Sequence, residues 1–134
     1  MFKTILFPVD QSRESRQAAE LVADLIKVHN SRLVLLSVVE QPEPGETDDV
    51  MASPESIAEL LESAKALFTQ KGMTAEALER EGKPAFVICD VADEVSADLI
   101  VMGCRGLGLT EEGVAESVTN RVINLSPCPV LIVP

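Results

Sequence analysis

Short, almost wholly apolar segments alternate along this chain with longer segments in which apolar residues recur every three or four positions. The short segments have the length and composition of strands buried on both faces, and they span 4–9, 32–39, 98–102 and 130–133. The longer segments are typical of amphipathic helices, and they begin after Ser12, at Pro54, at Pro84 and near Val114. Alternation of this kind predicts an α/β domain, with a parallel sheet, helices on both faces and right-handed crossovers.

Residues 74–81 give conflicting signals. Their alanine, glutamate, leucine and arginine content favours a helix by intrinsic propensity. The segment is short, however, and it lies between Gly72 and the turn-forming sequence Gly82-Lys83-Pro84. We therefore interpret it as a strand at the edge of the sheet, which gives the sheet five strands.

Length and composition restrict the function classes. The 134 residues predict a single domain over 1–134. Lys and Arg number 11 against 22 Asp and Glu, so the net charge of −11 argues against nucleic-acid binding. No apolar run approaches the roughly 18 residues of a membrane span, and the first residues carry no signal-peptide pattern. The three cysteines show no paired spacing, so we expect reduced thiols in a cytoplasmic protein, without disulfides or zinc.

The carboxyl ends of two predicted strands mark the expected ligand crevice. In an open parallel sheet, ligands bind beyond these ends, where the winding direction reverses. Asp10 directly follows the first strand and Gly103 follows the fourth. In the flavodoxin-like strand order 3-2-1-4-5, these two positions flank the reversal point.

Four sequence segments carry a family resemblance. They are Phe7-Pro8-Val9-Asp10-Gln11-Ser12, Leu35-Leu36-Ser37-Val38-Val39-Glu40, the run from Asp98 to Gly106, and the run from Ser126 to Val133. With these segments the whole chain resembles the universal stress protein family. The resemblance implies the strand order 3-2-1-4-5 and a fold like that of the adenine nucleotide alpha hydrolases.

The resemblance also implies a set of nucleotide-binding residues. Asp10 would contact the ribose or the adenine, Pro8 and Val38 would line the adenine pocket, and Met102 would lie beneath it. The complete implied set is Pro8, Val9, Asp10, Val38, Met102, Gly103, Arg105, Gly106, Ser117 and Val118. The ligands implied are AMP, ATP or a cyclic adenine nucleotide, with Mg²⁺ only if ATP binds.

The phosphate loop departs from the pattern of ATP-binding members, which is Gly-x2-Gly-x9-Gly followed by Ser or Thr. This chain keeps Gly103, Gly106 and Ser117 but has Glu116 in place of the third glycine. Glycines let backbone N–H groups approach phosphate oxygens closely, and Glu116 instead adds negative charge. A carboxylate about 5 Å from a phosphate charge opposes binding by roughly 3 kcal/mol, about a hundredfold in affinity. We therefore expect the cleft to prefer AMP or a cyclic nucleotide, or to stay empty, rather than bind ATP.

Several of these residues also fit purely structural roles. Asp10 and Ser117 suit helix caps, and two glycines after a strand occur in many tight turns. His29 lies at the end of an apolar helix face, so a packed ring is favoured over a catalytic one. Cys89 is expected in the core, whereas Cys104 lies in the glycine loop, where an exposed thiol would be oxidisable.

Three functions remain open at this point. The first is a non-catalytic nucleotide sensor or partner-binding module active under stress. The second is an ATP-binding protein with slow ATPase or autophosphorylation activity through Gly103, Gly106 and Ser117, although the carboxylates show no paired acid and base. The third is a scaffold with an empty cleft, which would be recognised through the acidic segment 40–53.

The last predicted strand raises a question of assembly. Its sequence Val130-Leu131-Ile132-Val133 is wholly apolar and is bracketed by Pro129 and Pro134. At a sheet edge, such a strand is protected by pairing with its copy across a two-fold axis, as the family resemblance also implies. We expect a homodimer through this strand, and an unidentified protein partner for the stress role.

Overall fold

The computed structural model describes residues 2–9, 13–39, 54–103 and 112–133, with the side chains at 13–16, 54–57 and 112–117 outside the description. The described elements alternate between strands and helices in the order that the sequence predicts. They are β1 (Thr4–Pro8), α1 (Arg13–His29), β2 (Arg32–Val39), α2 (Pro54–Gln70), β3 (Ala75–Glu81), α3 (Pro84–Glu94), β4 (Leu99–Gly103), α4 (Glu112–Leu125) and β5 (Val130–Val133).

The five strands form one parallel sheet in the order β3-β2-β1-β4-β5. The predicted strand order is therefore confirmed, and residues 75–81 form an edge strand despite their helix propensity. Hydrogen bonds along β2 and the burial of Ala75 outweigh a propensity difference of a few tenths of a kcal/mol per residue. The last helix begins at Glu112, two residues before the start predicted near Val114.

Two apolar cores hold the helices against the two faces of the sheet. On one face, Phe7 of β1 packs with residues of α1 and α2, including an edge-to-face contact with Phe68 at 6.4 Å between ring centroids. On the other face, Leu6 packs with residues of α3 and α4, among them Ile88 and Val122. Each strand contributes to both cores because its side chains alternate between the faces.

Polar contacts fix the amino ends of the strands. The Asp98 carboxylate accepts hydrogen bonds from the backbone N–H groups of Lys3 and Thr4, each at 2.9 Å. Arg32 of β2 forms a two-pronged ion pair with Glu76 of β3. These contacts hold β1, β2, β3 and the start of β4 in register, and they lie at the edge of the sheet opposite to the expected crevice.

None of the helices in the described part of the chain combines the length and apolar character that a bilayer crossing requires.

Candidate functional site

Three of the predicted site residues lie on one face of the sheet, at its carboxyl edge. Met102 belongs to the core under α3 and α4, and Val38 packs against the same core. Pro8 follows Leu6 by two residues, and Leu6 belongs to that core, so strand alternation places Pro8 on the same face. Pro8, Val38 and Met102 therefore share the α3–α4 face.

The strand register brings these three residues side by side. Pro8 of β1 lies opposite Leu36 of β2, and Val38 is two residues farther along β2. On the other side of β1, the pairing of Leu6 with Ile100 continues to place Pro8 opposite Met102 of β4. Neighbouring strands are about 4.8 Å apart, so the three residues span about 10 Å across the sheet, the width of a purine ring. Pro8 and Val38 are partly exposed, whereas Met102 is 2% exposed. We call Pro8, Val38 and Met102 the cleft floor.

Val118 of α4 packs against the same core as the cleft floor. It lies about one and a half turns into a helix that begins at the carboxyl edge of the sheet, because α4 follows a parallel strand. Val118 is therefore a fourth predicted residue that the fold brings to this face. Gly103 ends β4, directly after Met102, and is partly buried.

Val9 is placed differently from these residues. Its side chain is 8% exposed and packs in the core under α1 and α2, on the opposite face of the sheet. Its backbone N–H donates a hydrogen bond of 2.8 Å to the carbonyl of Leu36. The side chain of Val9 is thus separated from the cleft floor by the sheet.

The remaining predicted residues lie outside the described part of the chain. Asp10, Cys104, Arg105 and Gly106 fall in the undescribed segments, and Ser117 lies in α4 with its side chain outside the description. Their assignments remain predictions from the resemblance.

Positive charge is sparse around the cleft floor in the described residues. Arg80, near the end of β3, is directed along α3 by its ion pair with Glu94, at 3.1 Å. Lys83 precedes the first turn of α3 and is exposed, at the same edge of the sheet as the cleft floor. Lys3 and Arg32 are at the amino ends of their strands, on the opposite edge. The described part of the cleft is therefore mainly apolar, which suits a base better than a triphosphate.

The structure also places the residues for which a structural role was expected. Cys89 is buried in the α3–α4 core as predicted, and His29 packs against Phe2 with ring centroids 5.1 Å apart. Desolvation raises the pKa of the Cys89 thiol and of the Cys128 thiol, so both stay protonated near neutral pH. Across residues 2–9, 13–39, 54–103 and 112–133, no three His, Cys, Asp or Glu residues come together as a metal site.

One exposed aromatic residue was not singled out by the sequence interpretation. Phe86 lies in the first turn of α3, at the carboxyl edge of the sheet, and is 48% exposed. The available signal was its position outside the apolar stripe that Ile88, Val91, Ala92 and Val95 define. At about 100° per residue, Phe86 lies on the face of α3 opposite to that stripe, so its ring is directed away from the sheet.

Comparisons with known proteins find one family that matches the whole chain. A model of the universal stress protein family matches residues 1–134. Universal stress protein Sll1654 of Synechocystis sp. is 68% identical over 136 residues, which cover 100% of this chain and 87% of that protein.

Two solved structures are similar over almost the whole chain. A protein of the universal stress protein family from Burkholderia pseudomallei is 28% identical with a TM-score of 0.78, over 99% of this chain and 96% of that one. The universal stress protein from Archaeoglobus fulgidus in complex with dAMP is 25% identical with a TM-score of 0.76, over 99% and 98% of the two chains.

Proposed function

Because the chain belongs to the universal stress protein family, we propose that it binds an adenine nucleotide with a single phosphate group, AMP or cAMP, at the carboxyl edge of its sheet. The observation that carries this proposal is the cleft floor, an apolar set of purine width on three neighbouring strands that is partly exposed at Pro8 and Val38. The similar protein from Archaeoglobus fulgidus, whose structure contains dAMP, supports an adenine nucleotide as the ligand.

ATP is the disfavoured ligand in this proposal because of the sequence of the phosphate loop. Glu116 replaces the third glycine of the family pattern, and Glu111 and Glu112 lie in the same stretch. Arg105 is the sole Lys or Arg between Lys83 and Arg121 in the sequence. Three carboxylates in this stretch therefore oppose the extra phosphate charges of ATP, and one cationic side chain, Arg105, attracts them. Mg²⁺ offsets part of the repulsion.

The biological role we propose is that of a cytoplasmic nucleotide sensor or partner-binding module without catalytic turnover. A second candidate, slow ATP hydrolysis or autophosphorylation, is favoured by the retained Gly103, Gly106 and Ser117. The third candidate is a scaffold with an empty cleft, recognised through the acidic segment 40–53. Incubation with ATP labelled at its terminal phosphate separates the first two, since release or transfer of label at a steady rate would establish turnover.

We also propose that the protein is a homodimer that pairs β5 with its copy. In β5 all four residues, Val130 to Val133, are apolar and only partly buried within one chain. Among the strands that the structure describes, β5 lies at an edge of the sheet and pairs with β4 on one side only. Pairing two copies across a two-fold axis pairs the backbone groups on the other side and covers the apolar side chains.

Titration calorimetry with AMP, cAMP and ATP, with and without Mg²⁺, tests the ligand proposal, with UMP as the control for base recognition. We expect AMP or cAMP to bind at least about a hundredfold more tightly than ATP, and UMP to bind weakly. Micromolar or tighter binding of ATP would contradict the proposed preference, and a lack of binding by all adenine nucleotides would contradict the function itself.

Substitution of Glu116 tests the cause of the preference. In Glu116→Gly the repelling charge is removed and the glycine of the family pattern is restored, so ATP affinity should rise by about a hundredfold. The control Glu116→Gln removes the charge alone and should recover part of that gain. AMP affinity should change less in both variants, since AMP carries fewer phosphate charges. Unchanged ATP affinity in Glu116→Gly would show that Glu116 does not face the phosphates.

A further inference from the structure

The proposed dimer needs a larger interface than β5 alone supplies. Stable protein interfaces use about 20–30 residues a side, whereas β5 has four, Val130 to Val133. Further contacts between the two copies therefore have to come from elements that lie beside β5. On one face of the sheet this element is α1, which contacts both β4 and β5.

Leu21 and Val28 lie on the flank of α1 that faces the β5 edge. On this face of the sheet α2 contacts β2 and β3, so it lies on the other flank of α1. With a right-handed crossover and about 100° of rotation per residue, the residue after Val22 turns toward α2 and the residue before it turns toward β5. The exposed fractions agree, since Ala23 is 2% exposed and Leu21 is 37% exposed. Val28, seven residues after Leu21, shares its flank and is 77% exposed.

Leu21 is level with the start of β5. At the other end of α1, His29 packs against Phe2, just before β1, and this contact aligns the helix with the sheet. The eight positions from His29 back to Leu21 rise about 12 Å, the length of three to four strand residues. Leu21 is therefore level with Leu6, which the sheet register aligns through β4 with Val130.

Val28 lies on the same flank at a different level. It is about 10 Å farther along α1 than Leu21, toward the amino edge of the sheet. Because β5 begins at the level of Leu21, Val28 lies beyond the start of that strand. The two residues are thus a matched pair, one beside β5 and one clear of it.

The symmetry of the proposed dimer determines what approaches Leu21. A two-fold axis between paired edge strands is perpendicular to the sheet, so the strands are antiparallel and both copies of α1 lie on one face. Opposite residues of an antiparallel pair share a face, so a centred axis passes through Leu131 or Ile132. Val133 of the second copy then lies opposite the residue just before or just after Val130, which is the level of Leu21.

The side chains of Leu21 and Val133 lie on the same face of the sheet. Val133 is partly buried and packs against the core under α1 and α2. Leu21 leans toward the N-terminus of α1 and hence toward the middle of β5. Since α1 contacts β5 and the second strand is only about 4.8 Å farther out, a leucine on the outer flank can reach it.

From this placement we infer that Leu21 is part of the interface between two copies and packs against Val133 of the second copy. The inference rests on the proposed dimer through β5. It adds one helix flank of each copy to the four strand residues, on the face of the sheet that α1 covers.

The same charged substitution at the two matched positions gives the first test. In Leu21→Glu each copy brings an unpaired carboxylate into the interface, so the dissociation constant should rise about tenfold to fiftyfold by analytical ultracentrifugation. Val28→Glu changes the net charge equally and should leave the dissociation constant within twofold of the parent value. Equal effects of the two variants, or no effect of Leu21→Glu, would overturn the inference.

A milder pair of variants keeps this test decisive if Leu21→Glu does not fold, which circular dichroism establishes. Leu21→Ala removes the apolar contact without adding charge, and it should raise the dissociation constant about threefold to tenfold. Val28→Ala should have no effect. Dissociation constants within twofold of each other in these two variants would contradict a contact at Leu21.

An opposite charge on the second copy tests the contact itself. Leu21→Glu combined with Val133→Lys places a carboxylate of one copy beside an ammonium group of the other, so this double variant should dimerise more tightly than either single variant. Val28→Glu combined with Val133→Lys has the same net charge and should dimerise no more tightly than Val133→Lys alone. Equal recovery in both double variants would attribute the effect to net charge and overturn the inference.

The two proposals fail in different ways. If the parent protein is monomeric at tens of micromolar, the proposed dimer is wrong and the role of Leu21 falls with it. If the parent protein is a dimer that a charge on β5 dissociates, while Leu21→Glu and Leu21→Ala leave it intact, the dimer stands and only the contact through α1 is wrong.

Discussion

The sheet ends in two edge strands, β3 on one side and β5 on the other, and their sequences differ in length and character. β3 has seven residues, AEALERE, of which four are charged. β5 has four residues, VLIV, and no charge. Each has a described strand as its neighbour on one side only, which is the geometry that permits another strand to add.

The difference in charge affects how readily another strand can pair with each edge. On β3, charged side chains stand along the strand and make addition of a second copy unfavourable, as protected edges of natural sheets do. On β5, no charge opposes pairing, and protection is limited to the proline that precedes the strand and the one that follows it in the sequence. We therefore call β5, where we propose that a second copy pairs, the open edge, and β3 the closed edge.

The largest expected effect comes from placing a charge on the open edge. Leu131 of β5 and Ala77 of β3 are matched positions, since each is partly buried and packs against the core under α1 and α2. Leu131→Lys should raise the dissociation constant of the dimer by about a thousandfold, because each interface then contains two unpaired ammonium groups. Sedimentation or light scattering at tens of micromolar measures this change.

Ala77→Lys is the control for that experiment, and it should leave the dimer intact because β3 lies outside the proposed interface. Circular dichroism establishes that both variants fold. A parent protein that is monomeric at tens of micromolar, or equal dissociation of the two variants, would contradict the assignment of β5 as the interface.

The second largest expected effect concerns the turns that precede and follow β3. Gly82, after β3, has φ +142, and a Cβ there would approach Val87 Cγ2 to 2.9 Å. Gly72, before β3, has φ +84 and open space around it. Gly82→Ala should therefore lower the free energy of unfolding by about 2–3 kcal/mol, through both strain and steric overlap. Gly72→Ala should cost about 1 kcal/mol, through strain alone.

Urea unfolding of the two glycine variants measures this difference. If Gly72→Ala lowered the free energy of unfolding as much as Gly82→Ala, the contact with Val87 would add nothing to the cost of a side chain at position 82. The comparison is cleanest at a single protein concentration, because a dimer makes apparent stability depend on concentration.

The closed edge also shows why the fold was predictable from the sequence. The composition of residues 75–81 favours a helix, but the turn signals at Gly72 and Gly82 leave room for one strand only, and the structure confirms the strand. The four other strands are nearly continuous apolar runs, which is the pattern of strands covered on both faces. Alternation with helices then restricts the winding to few arrangements.

The residues of the candidate site were harder to predict from the sequence than the fold. Pro8 and Val9 were both assigned to it, yet adjacent strand residues point to opposite faces, and the structure places Val9 in the other core. Helix periodicity identifies the stripe of α3 that packs on the sheet, but not the flank of α3 that meets another helix. That flank is determined by how α4 packs beside α3, a contact between residues more than 30 positions apart such as Cys89 and Val122.

The smallest expected effect comes from the ion pair that ties the closed edge to β2. The hydrogen bond from Arg32 lowers the pKa of Glu76 below its ordinary value of 4.5. The folded state therefore favours the charged carboxylate, and the resulting stability is present above pH 4.5 and is lost as the pH falls through the lower folded-state pKa. Since both side chains are about half exposed, the contribution is small and decreases with salt.

Glu76→Gln should therefore be slightly less stable than the parent protein at pH 7 and low salt, and the difference should decrease as the pH falls below 4.5. The control is Glu79→Gln on the same strand, whose carboxylate forms no ion pair with the other described residues. Urea unfolding of the three proteins across this pH range measures the effect. If the two variants follow the same pH dependence, the pair with Arg32 contributes nothing to holding β3, and the charges of the closed edge act only by opposing the addition of another strand.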